Sequence, residues 1–264
     1  IDILGTGQSL LQITYARFLK ICDPSRIYVL TNDRYTDLVL AQLPLGRENI
    51  IAEPSRNNTA PCIAYANAKI NKLYPNANIV VAPSDHLILN EDEFLKKIDI
   101  ALNFSSKNDA LITLGIKPTR PDTGYGYIKY VDNGGLAVKK VEAFTEKPPL
   151  EKALIYLGSG NYLWNAGIFV WQASSLQKAL KEHAPKIYEV FQNGNPHYGK
   201  ETEVAFINDI YPKCENISID FAIMEKANNV YTIPSDIGWS DLGTWASLHD
   251  VTKNENNNSV STSN

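Results

Sequence analysis

The sequence predicts an α/β protein built on an open, mainly parallel central sheet with helices on both faces. Two observations carry that expectation. Short β-branched runs alternate along the chain with segments whose apolar residues recur at helical spacing, the pattern of consecutive β-α units. The chain also has 264 residues, 44% of them hydrophobic, which suffices for one large domain with a substantial buried core.

Taken in order, Ser9 can cap a helix carrying Leu10, Leu11, Ile13, Phe18 and Leu19. Residues 27–31 read as a strand, 35–43 as a helix and 50–52 as a strand. Pro61 is preset for the first turn of a helix that runs through Lys72. Residues 79–82 are apolar throughout, as in a strand buried on both faces, and the run stops at Pro83. Asp85 therefore falls at a strand's carboxyl end. The amphipathic stretch 91–104 is a helix and 110–115 a strand, and residues 127–144 turn back around Asn133, Gly134 and Gly135 as a hairpin inserted into the sheet. Residues 168–171 and 230–233 complete the strands, and 174–182, 219–227 and 242–248 the helices. Residues 1–251 form one domain in this reading. The tract 252–264, rich in Asn, Ser and Thr, cannot order itself by burial and reads as a linker. The first residue is Ile1 rather than Met and opens a strand-like run, so the numbering is expected to start inside the fold.

Composition excludes several classes of function. With 25 Lys+Arg against 29 Asp+Glu, the net charge of −4 provides no positive field for nucleic acid or an anionic membrane. The apolar runs are too short for a membrane span. Cys22, Cys62 and Cys214 are odd in number and never in a C-x-x-C pair, and the four histidines lack ligand spacing, so neither a disulfide framework nor zinc is expected. A reducing cytoplasm fits.

In open α/β sheets ligands lie beyond the carboxyl ends of the strands, so chemistry is sought in the loops there. Ala82-Pro83-Ser84-Asp85-His86 places a carboxylate where magnesium, which takes one or two protein carboxylates, can be held; the same Asp also suits a turn cap. Gly238-Trp239-Ser240-Asp241-Leu242-Gly243-Thr244-Trp245 holds a second carboxylate, suited either to capping a helix or to sharing that metal with Asp85. Phe144-Thr145-Glu146-Lys147-Pro148 and the loop around Asn165 and Gly167 combine an acceptor, an amide that both donates and accepts, a compact cation and a Gly that lets backbone approach closely. A hydroxyl-rich sugar phosphate needs those groups. Thr123-Gly124-Tyr125-Gly126-Tyr127 suits a turn as well as a binding loop, and Asn58-Thr59-Ala60-Pro61 suits a helix cap as well as a base or anion site. Gly5-Thr6-Gly7-Gln8-Ser9 matches no phosphate-loop pattern and is read as a turn and helix cap.

Together and in this order, Glu53-Pro54 with Asn58-Thr59-Ala60-Pro61, Pro83-Ser84-Asp85-His86, Gly124-Tyr125-Gly126-Tyr127-Ile128, Phe144-Thr145-Glu146-Lys147-Pro148, Asn165-Ala166-Gly167-Ile168-Phe169, Ser218-Ile219-Asp220-Phe221-Ala222-Ile223-Met224-Glu225-Lys226 and the Gly238 to Trp245 segment resemble the mannose-1-phosphate guanylyltransferases. The resemblance extends to about Val251. It implies a Rossmann-like nucleotide-diphospho-sugar transferase fold and the reaction of GTP with mannose 1-phosphate to give GDP-mannose and pyrophosphate. By the same resemblance Asp85 and Asp241 would hold Mg2+, and Lys147 would meet the sugar phosphate. Glu146, Asn165 and the Gly126 loop would hold mannose hydroxyls, with Asp220 supporting them from behind. Asn58, Thr59, Pro83 and Ser84 would line the guanosine pocket. A homodimer is the one protein partner it allows, with no nucleic acid and no membrane.

Two departures are visible. The family's Gly-rich signature loop, which binds the triphosphate, would precede Ile1, so the chain itself is expected to bind GDP-mannose or mannose 1-phosphate without turning over GTP. The family's Arg before Asn-Thr-Ala-Pro is Asn57 here, with Arg56 one position earlier. A nucleotide-sugar-binding regulatory domain without turnover, and a nucleotidyltransferase for another hexose 1-phosphate, are the rival readings.

Overall fold

The computed structural model describes residues 2, 5–132 and 134–242. Of the expected elements, the run 1–4 (Asp2 apart), the helix 242–248 beyond Leu242 and the tract 252–264 lie outside them. The first half of the chain forms α1 (Leu10–Phe18), β1 (Val29–Asn32), α2 (Thr36–Gln42), β2 (Ile50–Glu53), α3 (Thr59–Leu73), β3 (Asn78–Val81), β4 (Leu87–Ile88), α4 (Glu91–Ser105) and β5 (Leu111–Ile116). The second half forms β6 (Tyr127–Tyr130), β7 (Lys139–Thr145), α5 (Leu150–Ser159), β8 (Tyr162–Gln172), α6 (Ala173–His183), α7 (Pro185–Gln192), α8 (Thr202–Ile210), β9 (Val230–Pro234) and β10 (Trp239–Ser240). The expected capping residue starts α1: Ser9 Oγ accepts from Gln12 N–H while the Gln12 side chain accepts from Ser9 N–H.

Six strands form one sheet in the order β3-β8-β5-β9-β7-β6, with β6 pairing again to β8. The sheet is mixed, which corrects the expectation of a mainly parallel one. Among the described residues β5–β9 is its only parallel pair; β1–β2 is a second, separate parallel pair. The cause is β8. Eleven residues long, it runs antiparallel to β3, β5 and β6, so each of its neighbours is reversed relative to it. Its first part pairs with β6 and its last part with β3, while β5 pairs with both parts. Within the β5–β8 pairing the register slips, Thr113 facing Phe169 but Gly115 facing Asn165, and Gly167 takes φ +68°. This bulge, which only a glycine-like backbone tolerates cheaply, turns the strand and aims Asn165.

Helices do cover both faces. Alternation along β8 sends Ile168 and Val170 into a core with Phe94 and Ile98 of α4, and Phe169 and Trp171 into the opposite core with α3, α6 and α7 through Ile63, Leu176 and Phe191. The hairpin 127–144 is present as β6 and β7. The helix expected over 219–227 is instead a five-residue π-helical turn, Asp220–Met224, closed by Glu225 N–H donating to the Asp220 carbonyl at 3.0 Å. Such wide turns recur where a helix side chain must be re-aimed at a site.

Candidate active site

A two-residue ladder brings together the segments that carry Asp85 and Asp241. β4 and β10 pair antiparallel, Leu87 with Ser240 and Ile88 with Trp239. Asp241 follows Ser240, and Asp85-His86 precedes Leu87, so the segments that carry the two acids flank the same ladder although they are far apart in sequence. Both carboxylates act on the His86 imidazole, whose pKa is lowered by burial against their opposing pull. His86 Nδ1 accepts from Trp239 Nε1 at 3.1 Å, which places the proton of the neutral ring on Nε2. Asp241 Oδ1 accepts from the Tyr125 hydroxyl at 2.7 Å. Burial and the Asp241 carboxylate raise the Tyr125 phenol well above its usual range, so it stays a donor. Among the described residues no group of three or more His, Cys, Asp or Glu is arranged to hold a metal. Two aspartates completed by phosphate oxygens and water are nevertheless the donor set that suits magnesium, and Asp85 is exposed at its turn.

The predicted sugar group also converges. Gly126 is buried at the start of β6, and a Cβ there would lie 2.5 Å from Glu146 Oε2 and 3.3 Å from Asn165 Cβ. Glu146 and Asn165 thus close on the space that Gly126 leaves open. Asn165 is fixed on all sides: its N–H donates to the Gly126 carbonyl (2.8 Å), its Oδ1 accepts from Thr113 Oγ1 (2.7 Å) and Gly167 N–H (3.1 Å), and its Nδ2 donates to Asp220 Oδ1 (2.9 Å). Asp220 therefore holds the Asn165 amide from one side. Lys147 Nζ lies 3.6 Å from Glu146 Oε1, with its side chain 61% exposed. Glu146 Oε2 is buried with no hydrogen-bond partner. Burial, and after it the charges of Asp220 and Glu225, raise the Glu146 carboxyl to about 7. A group poised there can donate to or accept from a hydroxyl.

The two groups share walls. Tyr125 faces Asp241 while its neighbour Gly126 faces Glu146. On the other side, a Cβ on Gly167 would lie 3.7 Å from Pro83 Cγ and 3.9 Å from His86 Cε1, so the Pro83 to His86 loop packs over the bulge that aims Asn165.

The four residues expected at the nucleotide are held by different neighbours. Asn58 caps α3 by accepting from Thr59 N–H at 2.8 Å, and Thr59 Oγ1 accepts from Ile219 N–H at 2.9 Å, tying the helix start to the Asp220 segment. Ser84 is tied to α1, its carbonyl accepting from Thr14 Oγ1 at 3.3 Å, while Pro83 packs at Gly167. Asn57, the departure from the family pattern, is buried and donates from Nδ2 to the Cys214 carbonyl at 2.6 Å, whereas Arg56 is exposed. Position 57 therefore serves packing here.

Four described non-glycine residues take positive φ: Asn58, Asn76, Lys147 and Leu242. Three of them flank or form the groups above, and a backbone held in that region stores strain of order 1–3 kcal/mol, as binding sites often do. Sequence reasoning assigned no role to Arg120, Tyr125 or Glu225. Tyr125 sits inside the Gly-spaced motif, whose glycines suit a turn. Glu225, whose Oε1 accepts from Glu146 N–H at 2.7 Å, lay in a segment expected to be plain helix.

The nucleotidyl transferase family model matches residues 2–258. A mannose-1-phosphate guanylyltransferase of Salmonella montevideo is 36% identical over 271 residues, covering 97% of this chain and 56% of that protein. One from Sinorhizobium fredii (strain NBRC 101917 / NGR234) is 38% identical over 252 residues, covering 91% of this chain and 48% of that protein. The chain spans about half the length of these curated relatives. A solved structure from Thermus thermophilus, described as a mannose-1-phosphate geranyltransferase, superposes with a TM-score of 0.86 at 26% identity, covering 96% of this chain and 72% of that one.

Proposed function

The chain belongs to the nucleotidyl transferase family, and from that premise we propose that it forms the catalytic unit of a mannose-1-phosphate guanylyltransferase, joining mannose 1-phosphate to the GMP moiety of GTP with release of pyrophosphate. The observation that carries this reading is the shared wall: Tyr125 and Gly126, consecutive in the chain, face the Asp85/Asp241 loops and the Glu146/Asn165 pocket respectively. A site with acids on one side and sugar-binding groups on the other suits a substrate that is hexose at one end and polyphosphate at the other.

In this reading an oxygen of the sugar phosphate attacks the α-phosphorus of GTP, and the bond from that phosphorus to the pyrophosphate oxygen breaks. No base is needed, since the phosphate is already ionised. The obstacle is anion approaching anion, so positioning and charge neutralisation dominate. Asp85 and Asp241 would hold magnesium, which supplies positive charge to the phosphates when bound. Lys147, its ammonium extending from a strained and exposed backbone position, sets a cation beside the sugar phosphate. Glu146 and Asn165 orient the hexose through its hydroxyls, and Asp220 locks the Asn165 amide so that it does not rotate. Asn58, Thr59, Pro83 and Ser84 border the nucleoside end.

Among the described residues no helix is long and apolar enough to cross a membrane, and the three cysteines are free. We assign the reaction to the cytoplasm on the strength of those thiols. Since the chain alone is expected to bind without turnover, the test is pyrophosphate release from GTP and Mg2+ by the chain joined to the family's Gly-rich signature loop, with mannose 1-phosphate or glucose 1-phosphate in parallel. Release with mannose 1-phosphate in clear excess supports the proposal. Preference for glucose 1-phosphate overturns the choice of sugar, and nucleotide-sugar binding with no release under any condition favours a regulatory domain.

A further inference from the structure

Tyr125 is placed unlike the other aromatic residues of the site. Its ring is wedged edge-on between Trp164 and Trp239, with centroids 5.1 and 5.2 Å away, so that the hydroxyl has one direction to point. That direction ends 2.7 Å from Asp241 Oδ1. Behind the hydroxyl, Arg120 Nη2 approaches Tyr125 Oη at 3.4 Å, and its guanidinium carbon lies 5.3 Å from the Trp164 ring centre. Arg120 is itself held by Asp122 Oδ2, at 2.9 Å from Nε and 2.8 Å from Nη2. Asp122 Oδ1 in turn accepts from Gly124 N–H at 2.8 Å, which fixes the turn that carries Tyr125. The result is a chain of oriented groups, Gly124 to Asp122 to Arg120 to Tyr125 to Asp241, built from the loop between β5 and β6 and ending on a carboxylate beside β10.

We propose that Tyr125, held in place by Arg120, is a positioning residue that fixes the rotamer of Asp241 for metal binding. The inference rests on the assignment of Asp241 as a metal ligand made above. Asp241 directly follows the two-residue strand β10. A charge-assisted O–H···O bond from a ring packed between two tryptophans constrains its carboxylate. It occupies one oxygen and leaves the orientation of the carboxylate defined before a cation arrives. Groups that hydrogen-bond to metal ligands in this way commonly carry a 10- to 100-fold effect on affinity or activity. Because Tyr125 precedes Gly126, the same wedge also sets the distance between the metal side and the sugar pocket.

The experiment titrates Mn2+ into the chain saturated with GDP-mannose and reads free Mn2+ by electron paramagnetic resonance, for the unmodified chain and for Tyr125→Phe, Arg120→Leu and Asp241→Asn. Tyr125→Phe keeps the ring between its two tryptophans and removes only the hydroxyl. Its Mn2+ affinity is expected to fall about tenfold, with a smaller fall of about threefold for Arg120→Leu, while mannose 1-phosphate affinity measured by calorimetry stays within about twofold. That unchanged sugar affinity is what a general loosening of the fold does not give. If Asp241→Asn weakens Mn2+ binding but Tyr125→Phe matches the unmodified chain, the positioning role is wrong and the metal assignment stands. If Asp241→Asn itself leaves Mn2+ binding unchanged, the metal assignment falls and the inference with it. Loss of Mn2+ and sugar affinity together in Tyr125→Phe overturns the specific role in favour of a structural one.

Discussion

Replacing Glu146 with Gln keeps the shape of the side chain and removes its titration. The carboxyl is buried, its side chain 9% exposed, and Oε2 has no partner. Burial first, then the Asp220 and Glu225 charges, raises it from 4.5 to about 7. At about 1.4 kcal/mol per pH unit, that rise corresponds to roughly 3 kcal/mol. The sign follows from the protonated form being the one the fold prefers. The favourable contribution is full below pH 4.5 and is lost as pH climbs through 7, after which it stays lost. Glu146→Gln escapes that loss. Its stability relative to the unmodified chain should therefore improve by about 3 kcal/mol between roughly pH 4.5 and pH 8. At an unfolding entropy of roughly 2 cal/mol/K per residue, a chain of this size moves about 2 °C per kcal/mol, so the difference in Tm should grow by about 5 °C across that range. Scanning calorimetry in a pH series reads it directly. A Tm difference that is constant with pH, or one that turns against Gln at high pH, would refute the account of Glu146 as a desolvated carboxyl.

Two further changes test the packing around the site. Gly126→Ala puts a methyl 2.5 Å from Glu146 Oε2, so the carboxyl must move away from Asn165; mannose 1-phosphate affinity by calorimetry should fall about tenfold, a cost of about 1.4 kcal/mol. Glu91→Ala strips the partner from Arg17, whose side chain is 2% exposed and pairs with Glu91 Oε1 at 3.2 Å between α1 and α4. Leaving that guanidinium buried should destabilise the fold by about 3 kcal/mol in urea unfolding; an effect below ~0.5 kcal/mol would place the pair among inconsequential surface bridges.

The strands 79–82 and 110–115 are legible from their apolar, β-branched residues and are found as β3 and β5, each within a residue. The expectation that 79–82 is buried on both faces is not met: β3 lies at the sheet edge and is half-buried, whereas β5 sits inside the sheet and is buried. Strand direction was not legible. Alternation of strand and helix suggests parallel units, but β8 contains Asn165-Ala166-Gly167, which reads as a loop and is a bulge inside an eleven-residue strand that reverses its neighbours. The site residues were legible as types rather than as contacts. An Asn, a Glu and a Lys beside glycines pointed to a sugar phosphate, and Gly126 proves to leave the room that Glu146 occupies. The role of Tyr125 was hidden because a tyrosine's hydroxyl partner, here 116 residues away, is set by tertiary structure alone.

The central claim is that the Asp85/Asp241 loops and the Glu146/Asn165 pocket serve one nucleotide sugar through one metal. The most direct measurement is a calorimetric titration of GDP-mannose into the chain with Mg2+ and with EDTA, repeated for Asp85→Asn and Asn165→Ala. The account predicts that removing Mg2+ weakens binding about tenfold or more in the unmodified chain and has little effect in Asp85→Asn, while Asn165→Ala binds weakly in both conditions. GDP-mannose bound with the same affinity in Mg2+ and EDTA, and unchanged by both substitutions, would contradict it.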